Sequence, residues 1–237
     1  MPAPAAEISS HLAAVRRRVA AAAARAGRSP DAITLVAVSK TIAADVVRAA
    51  AQAGQRDFGE NRVQEGLEKI EALAGLGLTW HLIGHLQSNK ARKAAAAFGW
   101  IESIDSRDLL ARVDGAATEA GARPSVLIQA DLAREATKHG ADADAVRDLV
   151  HAALDARAVR LRGLMIVPPL PDKPEDSRPW FKRLRDLRDE LVAGGVPGDR
   201  LADLSMGMSH DFEIAIEEGA TIVRVGTAIF GARPQVR

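Results

Sequence analysis

The chain of 237 residues contains no cysteine and no tyrosine, and aromatic residues make up only 3% of it. Without cysteine there can be no disulfide, no thiolate metal site and no cysteine nucleophile. An excess of one charge is also missing: 32 Lys+Arg face 31 Asp+Glu, a formal net charge of +1. A general polyanion binder needs a basic surplus to displace counterions, so nucleic acid is not an expected partner. No apolar run approaches the ~18 residues of a membrane span or the core of a signal segment. Arg16, Arg17 and Arg18 interrupt the N-terminal stretch. The expectation is a cytoplasmic protein with no membrane partner. Hydrophobic residues at 47% and charged residues at 27% match an ordinary globular composition.

What is present is an alternation. Ile8, Leu12, Val15 and Val19 recur at helical spacing and Gly27 supplies a stop, predicting an N-terminal helix within 1–30 that packs on the rest. The Arg16–Arg18 run reads as a solvated face of that helix. Short apolar runs then follow at 33–40, 56–61, 78–84, 100–105, 124–131, 159–167, 200–205 and 221–226. Helical stretches separate them: an Ala-rich one to Gly54, then 62–74, 88–97, 106–120, 142–155, 178–193, and a helical turn from Ser209. Apolar runs joined by helices imply parallel strands with crossovers. Eight such units in this length predict an α/β fold of one domain over 1–237, a closed (βα)8 TIM-type barrel with an extra N-terminal helix. A doubly wound open sheet is the competing architecture, but no GxGxxG follows the first run.

Barrel chemistry belongs at the C-terminal strand ends, and the unusual residues fall there. Only seven of the basic residues are lysine, and one of them, Lys40, ends the first run. Strand alternation sets it on the face of Val36 and Val38, where a partly desolvated amine is a candidate Schiff-base former. A lysine reaching out to water from a strand end is the plainer reading. In the last run, TIVRVG, Arg224 lies among apolar neighbours and needs a partner, such as a barrel carboxylate at Glu60 or Glu102. Closure makes the eighth strand the neighbour of the first, so Arg224 and Lys40 can share one pocket. The small residues of SMGMSHD (205–211) and GTAIFG (226–231) let backbone N–H groups approach an anion. Ser205, Ser209, Gly226 and Thr227 are thus a candidate phosphate cup, with helix capping and turn formation as the plain alternatives. A lysine, an arginine and a phosphate cup on adjoining strands together suggest pyridoxal 5'-phosphate (PLP). No metal is expected at this site.

At these residues the chain resembles the pyridoxal phosphate homeostasis protein family, which shares the alanine racemase N-terminal barrel. The stretches that carry the likeness are AVSKT (37–41), FGENRVQEG (58–66), WHLIGHLQSNK (80–90), RLRGLMIVPP (160–169), LSMGMSHDFEIAI (204–216) and VRVGTAIFGAR (223–233). They run in order along nearly the whole chain. The resemblance implies that Lys40 carries PLP as an internal aldimine, that Arg224 contacts the pyridine nitrogen, and that Ser205, Ser209, Gly226 and Thr227 line the phosphate. Asn61 is implied as a further cofactor-side residue. One departure is His85, where the family commonly has proline.

An arginine at the pyridine nitrogen stays protonated and donates to it, which weakens the ring as an electron sink. Two-base racemisation also needs a group on each side of the substrate carbon. In alanine racemases these are the cofactor lysine and a tyrosine from a separate β-domain. Here there is no tyrosine, and the chain ends just after the last predicted strand. The expected function is therefore PLP binding for intracellular homeostasis, buffering or delivery, with little or no turnover. PLP-dependent apoenzymes are the candidate recipients, and the chain is expected to be a monomer or weak dimer. The alternative is a racemase using Lys40 with His85 or His210. A Schiff-base aldolase fits the lysine and the cup but leaves Arg224 unexplained.

Overall fold

The computed structural model describes residues 5–133 and 139–231. Ala232 and Arg233, which end the last motif stretch quoted above, lie outside the described residues. The chain forms α1 (Ala5–Arg25), β1 (Thr34–Val38), α2 (Ala44–Gln52), β2 (Asp57–Glu60), α3 (Val63–Ala72) and β3 (Thr79–Leu82). It continues through α4 (Ala91–Ala97), β4 (Trp100–Ile104), α5 (Arg107–Ala120), β5 (Ser125–Ala130), α6 (Ala143–Leu154) and β6 (Arg160–Ile166). The last units are α7 (Arg178–Ala193), β7 (Asp203–Ser205), α8 (Phe212–Glu217), β8 (Ile222–Val225) and α9 (Thr227–Phe230). The strands close in sequence order, all parallel, as β1 to β8. This is the expected (βα)8 barrel.

Closure sets Val36 of β1 opposite Arg224 of β8. Alternation along each strand then sorts the side chains into two cores. Val36, Leu127, Met165 and Ile222 fill the inside of the barrel. A much larger cluster, including Phe58, Leu82, Ile101, Val126 and Leu164, lies between strands and helices. Gly59 faces inward, because a Cβ there would meet the side chains of Val36 and Ile83 at 2.9 and 3.0 Å.

Helix α1 buries Ile8, Leu12, Val15 and Val19 against α2, α8 and α9. Burial of such side chains contributes roughly 1.5–3 kcal/mol each. Its arginine run lies on the solvated face, as expected, with Arg16 and Arg17 exposed and Arg18 half-buried. Arg18 pairs with Glu213 at 2.9 Å and lies over the Phe212 ring, while Arg16 donates to the Ala53 carbonyl at 3.3 Å. Among the described residues, no helix is long and apolar enough to cross a membrane.

Strand ends are shorter than the apolar runs predict. β1 stops at Val38, so Lys40 stands in the turn beyond the strand rather than on its last residue. In β7 only Asp203–Ser205 is strand, because Gly198–Arg200 form a 3-10 turn. Ser209 does not begin a helix: α8 starts at Phe212 behind Asp211.

Candidate cofactor site

A cavity of about 310 Å³ opens at the C-terminal ends of the strands. That volume suits a small ligand. Val38 and Lys40 line it from beyond β1, Asn61 from beyond β2, and Ile83 from beyond β3. Met208, Ser209 and His210 come from the loop after β7, and Arg224, Gly226 and Thr227 from the end of β8. Six of the seven residues singled out in the sequence thus meet in one cavity.

Lys40 is aimed by a clamp behind it. The Ser39 N–H donates to Gly59 O at 3.0 Å, and the Ser39 hydroxyl donates to Glu60 Oε1 at 2.6 Å. Lys69, on α3, is itself only 6% exposed; its Nζ donates to Ser39 O at 2.6 Å, Glu60 Oε1 at 2.7 Å and Glu65 Oε1 at 2.8 Å. Glu65 in turn accepts the Thr41 N–H at 2.5 Å. Thr41 needs that bond, for its φ of 64° is left-handed, costing about 1–2 kcal/mol in a residue with a Cβ. Both neighbours of Lys40 are therefore fixed by charged partners, buried Glu60 and Lys69 on one side and half-buried Glu65 on the other. Burial pushes the Glu60 carboxyl up, against the pull of Lys69 and Ser39, and its Oε2 is buried with no hydrogen-bond partner.

Arg224 is held from below by a polar chain running through the barrel. Its Nη1 donates to Ser205 Oγ at 2.5 Å and its Nη2 to Ile166 O at 2.8 Å. The Ser205 hydroxyl donates to Glu102 Oε2 at 2.5 Å. His81 then bridges Glu102 Oε1 at 2.7 Å through Nδ1 and Asp57 Oδ1 at 3.2 Å through Nε2. Both ring nitrogens face carboxylates, so both donate and the imidazolium fits. Burial opposes the charge on His81, but the bonds to Asp57 and Glu102 outweigh it and its pKa is raised. Burial likewise opposes ionisation of Glu102, yet His81, Arg224 and Ser205 bring its pKa down. Burial lowers the Arg224 pKa, with Glu102 and Asp211 opposing.

This chain decides the carboxylate question for Arg224. Glu102 balances the guanidinium one hydroxyl away, whereas Glu60 faces the outer wall and Lys69. It also sets Ser205 apart from the cup: that side chain is fully buried beneath the cavity, between Arg224 and Glu102. His81 and Asp57 join the site without a motif of their own. Their signal is alternation, which puts Asp57 with Gly59, and His81 with Ile83, on the inward face.

The remaining cup is built by two loops. The Gly226 N–H donates to Ser209 Oγ at 3.2 Å, joining the loop after β7 to the start of α9. Asp211 braces the first loop by accepting from Met208 N–H and the Ser177 hydroxyl, both at 2.7 Å. Gly207 has φ 91°, and a Cβ there would lie 2.8 Å from the Phe212 backbone, so only glycine fits the turn. Thr227 opens α9, and its N–H has no acceptor within the helix. The Ser209 hydroxyl and the Thr227 N–H border the cavity here and are groups of the kind that receive an anion.

The two histidines considered as bases part company. His210 lines the cavity mouth. His85 lies outside it, with Nδ1 3.4 Å from Asp105 Oδ2 and its ring stacked on His139. Asn61 is placed by close packing: a Cβ on Gly84 would meet its carbonyl oxygen at 2.3 Å.

Comparison with known proteins agrees with this architecture. The profile of the alanine racemase N-terminal domain matches residues 10–234. The chain is 43% identical over 222 residues to the pyridoxal phosphate homeostasis protein of Aquifex aeolicus, covering 94% of this chain and 96% of that one. It is 42% identical over 233 residues to the protein of the same name from Escherichia coli K12, covering 96% and 97%. The structure of PipY from Synechococcus elongatus PCC7942 with PLP bound superposes with a TM-score of 0.83 at 41% identity, covering 94% of this chain and all of PipY. The chain belongs to the alanine racemase N-terminal domain family and, within it, to the pyridoxal phosphate homeostasis proteins.

Proposed function

We propose that this protein binds PLP covalently and serves its homeostasis, holding and releasing the cofactor with little or no turnover. The observation that carries the reading is the convergence of Lys40, Arg224 and the Ser209–Gly226–Thr227 cup on one 310 Å³ cavity. When bound, PLP supplies an aldehyde that condenses with a primary amine, with loss of one water. Lys40 is the attachment point, its side chain beside Val38 and Ile83 in the cavity. The cup takes the phosphate, and Asn61 borders the ring. Arg224 donates to the ring nitrogen; two of its five N–H bonds are engaged by Ser205 and Ile166, leaving others for the cavity. Ser205 acts in this scheme through Arg224 and not through the phosphate.

A protonated guanidinium at the ring nitrogen disfavours a pyridinium, which suits storage better than carbanion chemistry. PLP-dependent apoenzymes are the class of recipient that follows. The test is absorbance during titration of the apoprotein with PLP, followed by borohydride reduction and mass analysis. We expect a visible Schiff-base band and one reduced adduct on Lys40, both lost in Lys40→Ala. PLP that binds with no such band and no adduct would refute covalent attachment.

A second reading has one observation in its favour, since His210 lines the same cavity. A racemase using Lys40 and His210 would exchange the α-proton of single amino-acid enantiomers in deuterated water. Absence of Lys40-dependent exchange at turnover rates leaves the storage reading standing.

A further inference from the structure

We propose that His85, Asp105 and His139 form a binding site for a divalent transition metal of the zinc class at the barrel rim, outside the PLP cavity. The three come from adjoining segments: His85 after β3, Asp105 directly after β4, and His139 after β5. Each offers one ligand atom, and these atoms all lie within 4.8 Å of one another. Imidazole and carboxylate donors without sulfur suit zinc, nickel, cobalt or copper.

The spacing favours a metal over an ordinary contact. His85 Nδ1 and Asp105 Oδ2 are 3.4 Å apart, beyond a good N–H···O hydrogen bond. Two ligands on a tetrahedral ion with bonds of about 2.0–2.1 Å sit about 3.3–3.4 Å apart. The pair already spans one edge of such a tetrahedron. His139 is the third candidate ligand: its ring stacks on His85 with centroids 3.6 Å apart and 10° between planes. Imidazole lone pairs lie in the ring planes, so two nearly parallel rings do not aim them at one ion. The His139 side chain is exposed, so rotation can swing its nitrogen into the coordination sphere. Its backbone is anchored meanwhile, because buried Gln129 donates to His139 O at 2.7 Å. Three protein ligands leave a fourth position open to water or a small ligand.

The test uses tag-free, metal-stripped, PLP-free full chain, so its outcome is independent of the cofactor reading. Zinc is titrated calorimetrically and counted per chain after dialysis, and cobalt(II) is added separately as a spectroscopic probe. The expected result is one zinc per chain and the intense visible bands of tetrahedral cobalt. His85→Ala, Asp105→Asn and His139→Ala should each weaken zinc binding at least about tenfold. Circular dichroism checks that each variant folds, and His85→Gln replaces His85→Ala if that variant does not. Failure of the wild type to retain zinc overturns the proposal, as does zinc binding unaffected by all three substitutions.

Discussion

A lysine lies on each side of the β1–β2 wall, Lys40 from the turn after β1 and Lys69 from α3, and their surroundings differ. On the inner side, Lys40 shares a cavity with Val38, Ile83 and Met208 and is only half-buried. On the outer side, Lys69 is buried against two carboxylates and a carbonyl, all within 2.8 Å. A side chain whose three N–H groups are all taken up by buried or part-buried acceptors makes a structural pin. An amine that opens into a cavity shared with Asn61, Ser209 and Arg224 is placed to meet a ligand. The clamp works on behalf of the cavity, since Lys69, Glu60 and Glu65 fix Ser39 and Thr41 on either side of Lys40.

The sharpest way to break this comparison is to remove each ammonium in turn. Lys69→Met strands Glu60 and Glu65 without their counterion and should cost about 3–5 kcal/mol in urea unfolding. Lys40→Met should change stability by less than about 1 kcal/mol while abolishing covalent PLP. Equal losses from both variants would end the division into pin and reactive group. A second, smaller effect tests the inner chain. Ser205→Ala deprives both Arg224 and Glu102 of a partner and should cost about 1–3 kcal/mol. It should also weaken PLP retention and shift the bound absorbance. A stability loss with unchanged spectrum and affinity would cut the link between Ser205 and the ring nitrogen.

Much of the inner face was legible in the sequence. Runs such as TLVAV and IVRV announce buried parallel strands, and residues just past their ends belong to the cavity by the geometry of a barrel. Lys40, Ser209, Gly226 and Thr227 were readable for that reason, and Arg224, inside β8, as a charge among apolar neighbours. The outer clamp was not, because its bonds join residues remote in sequence: Ser39 to Glu60, and Lys69 to Ser39. No periodicity encodes such pairs. β1 ends two residues before Lys40 because Ser39 turns its hydroxyl out to Glu60 and Thr41 adopts a left-handed backbone. His81 and Glu102 were half-legible: alternation puts them inward, but their pairing needs the register of β3 on β4. Ser205 shows the limit of loop reasoning, since a serine beside a glycine-rich turn looks like a phosphate ligand until Glu102 claims its hydroxyl.

The finest test concerns charge on the inner chain and is read as a change in slope. His81 has a folded pKa raised above its ordinary 6.5. Its protonated form therefore stabilises the fold fully below pH 6.5, and that contribution disappears as pH rises through the elevated folded value. Glu102 runs the other way: its lowered pKa gives stability above its ordinary 4.5, lost only as pH falls through the folded value. Between pH 6 and 9 Glu102 is ionised throughout, so the change belongs to His81. Urea midpoints of the wild type should fall across that range. In the double variant His81→Asn/Glu102→Gln, which replaces both groups with neutral amides of similar shape, the fall should be shallower. Parallel pH profiles would mean that His81 is neutral between its carboxylates, leaving Arg224 to balance Glu102 alone through the Ser205 hydroxyl.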